Sequence, residues 1–444
     1  MQIPYGTSAY RRNRGNLPSL ELVNMFVEQS RTDQKGVILQ SRKALVEVAD
    51  IGAGPIQATL QKDGVFGGDR FTISGGIAYR ESTALGAVAG SGVARIVASD
   101  IEVLFNAGGD IYSYDGADFV NVNFLGSEKA RTIHFANNRF IALWEGTGQW
   151  YFSGVLDGRS WDGADFATAE NEPDELRDVV SLDGVLILLG AESVEFWGPT
   201  GDPELPYTPI QQRVFEQGVI ATGCTVVVDN TFFWIGADKI TYRNGDVPQA
   251  ISDDGIVERA EASSTFALYL LLDERHKMLC QRHDDNTMVT DVTTQQWCEF
   301  RSYGRTNFRA LAGFGDDETG KIWSFSGYDE GPMERLFMAG AELSEPLTVN
   351  NLRLTCEVGT TPNLTGVYTD PVIEMRTSRD AGTTWGNWRP RTLGVQGNYR
   401  KRVQWNILGM FDDPGFLVQA RVTGPVSFRL SGVGINERNG GRSR

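Results

Sequence analysis

Between residues 268 and 300 the chain alternates short apolar runs with polar stretches of hairpin length. The runs are 268–272, 278–281, 288–291 and 297–300. Four short strands joined by tight turns form an up-and-down meander, the unit of a propeller blade. A related mark recurs along the chain: a strand that ends in an aromatic residue and then turns. It reads Ile111-Tyr112-Ser113-Tyr114, Trp150-Tyr151-Phe152, Val194-Glu195-Phe196-Trp197, Ile240-Thr241-Tyr242 and Ile322-Trp323-Ser324-Phe325, with weaker copies at Ile77-Ala78-Tyr79 and Met288-Val289-Thr290. Neighbouring marks lie about 35 to 50 residues apart, the spacing of propeller repeats. The pentapeptide Asp-Gly-Ala-Asp-Phe occurs twice, from Asp115 and again from Asp162, one such period apart.

Beyond residue 341 the pattern changes. Segments 352–358, 371–378, 385–393, 402–408, 416–423 and 426–435 read as strands separated by Gly, Pro and Asp turns, enough for a β-sandwich or small barrel. The expected class is therefore all-β. Residues 1–45 read as an N-terminal extended arm, 46–340 as a β-propeller, 341–436 as a C-terminal β-sandwich and 437–444 as a flexible basic tail. Six or seven blades fit, depending on whether the Gly-rich stretch 64–92 forms one.

Composition agrees with many tight turns: 51 glycines in 444 residues, with 10% aromatics to pack across strands. The longest apolar runs, 185–189 and 266–272, are too short to span a bilayer. Residues 1–16 hold Arg11, Arg12 and Arg14 but no apolar core of a secretory signal. Four scattered cysteines argue against a disulfide framework and fit a chain made in a reducing cytosol. Charge is unevenly divided. Residues 1–45 carry 7 basic and 3 acidic side chains and residues 341–444 carry 13 and 9, which leaves 21 and 45 for residues 46–340. That central region should repel nucleic acid at long range.

The chemical motifs are weak. His276, Cys280, His283 and Cys298 suggest a metal set, but side chains alternate along a strand and both histidines fall at turns. Gly315 to Ile322 is one residue short of a P-loop, with Ile where Ser or Thr would hold magnesium and three acidic residues where phosphate would sit. It reads as a hairpin turn. Ser378-Arg379-Asp380-Ala381-Gly382-Thr383-Thr384-Trp385 resembles the Asp-box of sialidases, in which Ser378, Asp380, Gly382 and Trp385 would make a rigid structural hairpin. Gly-x-Ser-x-Gly and His-Glu-x-x-His are absent. No catalytic, cofactor or metal residue is assigned.

Taken in order, several segments resemble the packaged-DNA stabilisation proteins that form the tail hub, or nozzle, of short-tailed bacteriophages. They are Leu22-Val23-Asn24-Met25-Phe26-Val27-Glu28 near the start, then Glu192 to Gly201, Gln217 to Cys224 and Phe232 to Gly236, and finally Arg376 to Trp388, Gly397 to Trp405 and Phe428 to Ile435. The resemblance implies a non-enzymatic virion protein of the phage tail, made and assembled in the host cytoplasm. It implies a ring, a homohexamer, below the portal and adaptor proteins, with a tail needle, fibre or spike proteins nearby. Such a ring closes the DNA-filled head and provides the channel for genome ejection, through which DNA passes without sequence-specific binding. Acidic side chains of the central region are expected to line that channel. Arg11, Arg12, Arg14, Arg438, Arg442 and Arg444 are expected to contact neighbouring proteins or subunits. The alternative reading is a propeller-based tail module that binds or hydrolyses glycans.

Overall fold

The computed structural model describes residues 1–9, 20–29, 36–126, 128–169, 174–341, 343, 345–360, 366–413 and 415–437, without the side chains of Gln212 and Val367. Among these residues lie six four-stranded antiparallel meanders, which we number as blades one to six: 56–87, 95–121, 130–168, 176–215, 225–250 and 267–300. Their first strands stand side by side around a ring, and the turn Ala312–Phe314 sits between the sixth and the first. That turn begins a reduced seventh blade. It continues through the bridges Ala310 to Asp316 and Gly315 to Ile322 into Lys321–Phe325. Its outer strand, Leu45–Asp50, comes from before the first blade and pairs antiparallel with Lys321–Phe325. The ring is thus closed by hydrogen bonds between segments far apart in sequence. The stretch 64–92 supplies three of the four strands of the first blade.

Each mark is the third strand of one blade, and six of the seven carry an aromatic; that of the sixth blade, Thr287–Asp291, has none. Physically, a blade face must be covered by its neighbour, and large rings span that gap with little loss of side-chain entropy. Trp150 of the third blade meets Trp197 of the fourth edge-on at 5.4 Å, and Phe196 of the fourth lies 6.1 Å from Phe232 of the fifth. The repeated pentapeptide has the same local role twice. Its first Asp accepts from backbone amides, Asp115 from Ala117 and Asp118 and Asp162 from Ala164. Its Phe stacks on a Tyr of the preceding strand, Phe119 on Tyr112 and Phe166 on Tyr151.

The sandwich draws on both ends of the chain. One sheet runs Met25–Gln29, Val37–Ser41, Arg429–Ile435, Leu347–Cys356, Val403–Phe411, with Gln2–Ile3 also on Arg429–Ile435. The other contains Arg335–Ala341, Phe416–Val422, Val372–Ser378 and Arg389–Thr392. Two points therefore differ from the expected boundaries. The described strands of 1–45 are members of the sandwich rather than a separate arm, because they cover sheet edges that would otherwise expose unpaired backbone groups. Arg335–Ala341, expected within the propeller, also belongs to the sandwich sheet. Between the two sheets Phe26, Leu39, Trp405, Phe428 and Val433 are buried, in one continuous core with Tyr269, Met278 and Trp297 of the sixth blade.

Candidate functional site: the joint, the axis and the sandwich hairpin

Propeller and sandwich meet in a single nine-stranded sheet. The two-residue strand Leu22–Val23 is its keystone, parallel to Trp297–Phe300 of the sixth blade and antiparallel to Arg335–Ala341 of the sandwich. Asn24 follows directly, at φ 53°, a left-handed conformation that Asn tolerates better than most residues. Its N–H donates to Glu299 O at 2.8 Å, and its side-chain amide donates to Glu334 O at 2.8 Å. Its Oδ1 accepts from Arg42 Nε at 2.7 Å and from the Arg301 N–H at 2.9 Å. Arg42 is buried to 1% exposure and also donates to Arg301 O and Lys43 O, and its Nη1 lies 2.7 Å from Glu330 Oε2. Arg335, buried beside it, donates to Gly424 O and Tyr328 O; burial, with Arg42 adding, pushes its guanidinium down to about 10. The joint thus combines the shared apolar core with a cluster of buried polar groups, most of them hydrogen-bonded, while Glu330 Oε1 and Arg335 Nε are buried without a partner.

Side chains reach between non-adjacent blades at both mouths of the propeller's axis. Arg95 of the second blade reaches the fourth, with Nη2 2.9 Å from Asp178 Oδ1 and Nη1 donating to Val179 O at 3.1 Å. Asp178, fully buried, also accepts from the Gly223 N–H at the start of the fifth blade, and Gly223 O accepts from the Leu268 N–H of the sixth. A Cβ at Gly223 would stand 2.9 Å from Val93 Cγ1 and, at φ +78°, would be strained as well. Four blades therefore meet at one mouth. At the other mouth Lys62 Nζ of the first blade lies 6.0 Å from the centre of the Phe135 ring of the third. Sequence reasoning missed these contacts, since nothing local separates Arg95 from other arginines.

The Ser378 to Trp385 hairpin is tied by its own side chains. Ser378 donates to Asp380 Oδ1 at 2.7 Å and accepts from the Gly382 N–H at 2.9 Å. Asp380 accepts from the Thr384 N–H and hydroxyl, at 2.8 and 2.6 Å, and these bonds hold its carboxyl down at about 2. Gly382 has φ +91°. Beneath the turn Arg376 lies over Trp385 and Trp388, at 4.9 and 4.5 Å, and Arg421 over Trp388 at 4.2 Å. Asp380→Ala is expected to loosen the turn without unfolding the sandwich. Hydrogen exchange of the Gly382 and Thr384 amides should rise while the global melting midpoint stays near its original value; unchanged exchange would show the carboxylate to be dispensable.

The other candidates divide as follows. Arg11, Arg12, Arg14, Arg438, Arg442 and Arg444 lie outside the described residues. His276 Nδ1 is 2.8 Å from Asp291 Oδ2, while His283 sits between Gln281 and Asn286. Cys280 and Cys298 flank Val289 from opposite strands. Among the described residues no three His, Cys, Asp or Glu side chains converge as metal ligands. The P-loop-like segment is the tight turn of the seventh blade, where Asp316 accepts from the Glu318 and Thr319 amides and from Trp323 Nε1. No described helix is long and apolar enough to cross a membrane.

Comparison with known proteins bears on both halves. No curated protein matches the chain. Among solved structures the resemblances are distant. The Cps50 (Swd1) β-propeller domain of Myceliophteria thermophila matches at 9% identity and a TM-score of 0.41, over 64% of this chain and all of that one. PorZ of Porphyromonas gingivalis matches at 14% identity and a TM-score of 0.36, over 71% of this chain, which spans 44% of the length of PorZ. An exo-β-1,3-galactanase of Phanerochaete chrysosporium reaches a TM-score of only 0.27 at 9% identity, over 98% of this chain and all of that one. Family models are decisive: bacteriophage P22 Gp10, beta-propeller, matches residues 1–302, and bacteriophage P22 Gp10, beta-sandwich, matches residues 337–437. The chain therefore belongs to the bacteriophage P22 Gp10 family and is a structural phage tail protein, a virion component built as a propeller joined to a sandwich.

Proposed function

We propose that the protein is the tail hub of its virion: a ring, six copies of this chain, that seats below the portal and adaptor, closes the DNA-filled head and conducts the genome at ejection. The carrying observation is the family match across both domains, joined to the side chains that reach between blades at the propeller axis. Arg95 and Asp178 meet at the mouth of that axis, which supports a conduit formed by the space that several subunits enclose rather than by the axis of one. Carboxylates of the central region line it, and DNA slides past a wall to which its phosphates do not bind. The rigid joint suits such a part, since a ring under internal pressure gains from subunits that do not flex between domains.

The test adds purified protein to DNA-filled heads that carry portal and adaptor but lack this chain. Retained DNA and a six-fold ring with a central opening by electron microscopy are expected. Heads that leak equally with and without the protein, or a chain that cleaves glycans as a monomer, would overturn the reading.

A further inference from the structure

Two surfaces on opposite sides of the molecule complement each other in charge and in apolar character. The first is a strip on the sandwich. Residues 389–402 include Arg389, Arg391, Arg400, Lys401 and Arg402 and no acidic side chain. Arg389 and Arg391 reach over the neighbouring strand to donate to Asn406 O and Gln404 O, both at 2.9 Å, so the strip continues onto Val403–Phe411. Exposed apolar groups punctuate it: Tyr399 at 67%, Val395, Met410, and Ile407 at 86%. Ile407 is held at φ 57° in a bulge opposite Asn350, between the pairs Val349 to Gly409 and Asn351 to Asn406. A β-branched residue in the left-handed region is strained, and one that is also solvent-exposed gains nothing from the monomer's own core.

The second surface is on the rim of the third and fourth blades. Arg139, nearly buried, donates to Ser153 O at 2.6 Å and to Pro203 O at 2.8 Å, and so pins the turn after one blade strand to the hairpin of the next. The pinned loops present Val155 at 60% exposure, Leu156 and Leu205. Leu156 too is left-handed, at φ 57°. Around them stand the exposed carboxylates of Asp157, Asp202 and Glu204. Across residues 157–216 the sequence has 14 acidic and 3 basic residues. The third blade stands three places from the sixth, which carries the sandwich; a ring of seven allows no greater separation.

We infer that the strip of one copy seats on the rim of the next. Each surface has an apolar centre and a charged surround of opposite sign, and their placement on far sides makes the contact intermolecular. Such a head-to-tail contact is heterologous, and it makes a ring when its rotation closes. This rests on the hub reading and names the surfaces that build it.

The test uses full-length chains with charge reversed on one side only. Arg400→Glu with Lys401→Glu disables the strip; Asp202→Lys with Glu204→Lys disables the rim. Both are at exposed or half-buried loop positions, and an unchanged melting midpoint confirms folding. Self-association is read by sedimentation in free solution and by copy number on heads that carry portal and adaptor. Each variant alone should fail to associate, whereas an equal mixture of the two, in which reversed strip meets reversed rim and unchanged strip meets unchanged rim, and the chain with all four substitutions should both regain the wild-type state. A single-sided variant that associates like wild type overturns the proposal, as does a mixture that stays monomeric or a wild type that stays single both free and on heads. DNA binding that is lost in the strip variant while self-association persists would assign the strip to nucleic acid instead. Ile407→Asn should raise the melting midpoint yet weaken association roughly tenfold; unchanged association would remove Ile407 from the contact. Loading onto heads that survives the charge reversals leaves the hub reading standing, whereas a wild type that never loads removes it.

Discussion

Glu330→Ala is expected to cost about 3–5 kcal/mol of stability, because it leaves the Arg42 guanidinium buried at the joint without its counter-charge. Leu45, whose N–H donates to the same carboxylate at 3.0 Å, loses its partner too, so the closing strand of the propeller is weakened with the joint. Three further bonds of Arg42, to Asn24 Oδ1, Lys43 O and Arg301 O, remain but do not neutralise charge. Replacing both partners, Arg42→Met with Glu330→Met, should recover much of the loss, since an apolar pair of similar volume avoids the cost of burying ions. Urea unfolding at neutral pH measures both. A loss below about 1 kcal/mol for the single variant would place the pair among weak, solvated bridges.

Acid should destabilise the protein well before its carboxylates titrate. Thr241 Oγ donates to Gln281 Oε1 at 2.5 Å, which turns the Gln281 amide nitrogen towards His283 Nε2 at 2.9 Å. That nitrogen must then accept, and Nδ1–H donates to Asn286 Oδ1, also at 2.9 Å. A second proton would face a donor inside a buried site. Burial pushes His283 down to about 4, and burial with the Arg95 charge pushes His134 down to about 3. Above the unfolded value near 6.5 both imidazoles are neutral in either state, and stability is unaffected. As pH falls through 6.5 the unfolded chain takes up protons that the folded chain refuses, so stability declines. At pH 5 His283 accounts for about 2 kcal/mol of loss. His134 retains some exposure and adds a smaller share. Comparing urea midpoints at pH 7 and pH 5, His283→Gln should lose distinctly less than wild type. An equal loss would assign the acid sensitivity elsewhere.

Local features were legible in the sequence, and long-range ones were not. An aromatic in a blade's third strand announces itself because the need to fill the gap between blades recurs along the chain; six of the seven blades have one, Tyr79, Trp150 and Trp323 among them. The Ser378 hairpin was equally readable, since its bonds close within a few residues. Leu22–Val23 had no such chance. Two residues carry no periodicity, and their partners Glu299 and Leu336 lie hundreds of positions away. The same holds for Met25–Gln29 and Val37–Ser41, whose alternation indicates a strand but not the edge it joins. Arg95 and Asp178 illustrate the limit for the site itself: a salt bridge between blades two places apart depends on which inner strands come within reach, and that follows only from the blade count and the chain's path.

The outer strand of the seventh blade sets an order of events. Leu45–Asp50 leaves the ribosome early, yet the edge it must pair with, Lys321–Phe325, is made only after six blades have been synthesised. Until then the toroid is an open spiral with a bare first edge. Translation must therefore pass residue 325 before any copy can close its propeller, and a chain terminated earlier lacks its own clasp.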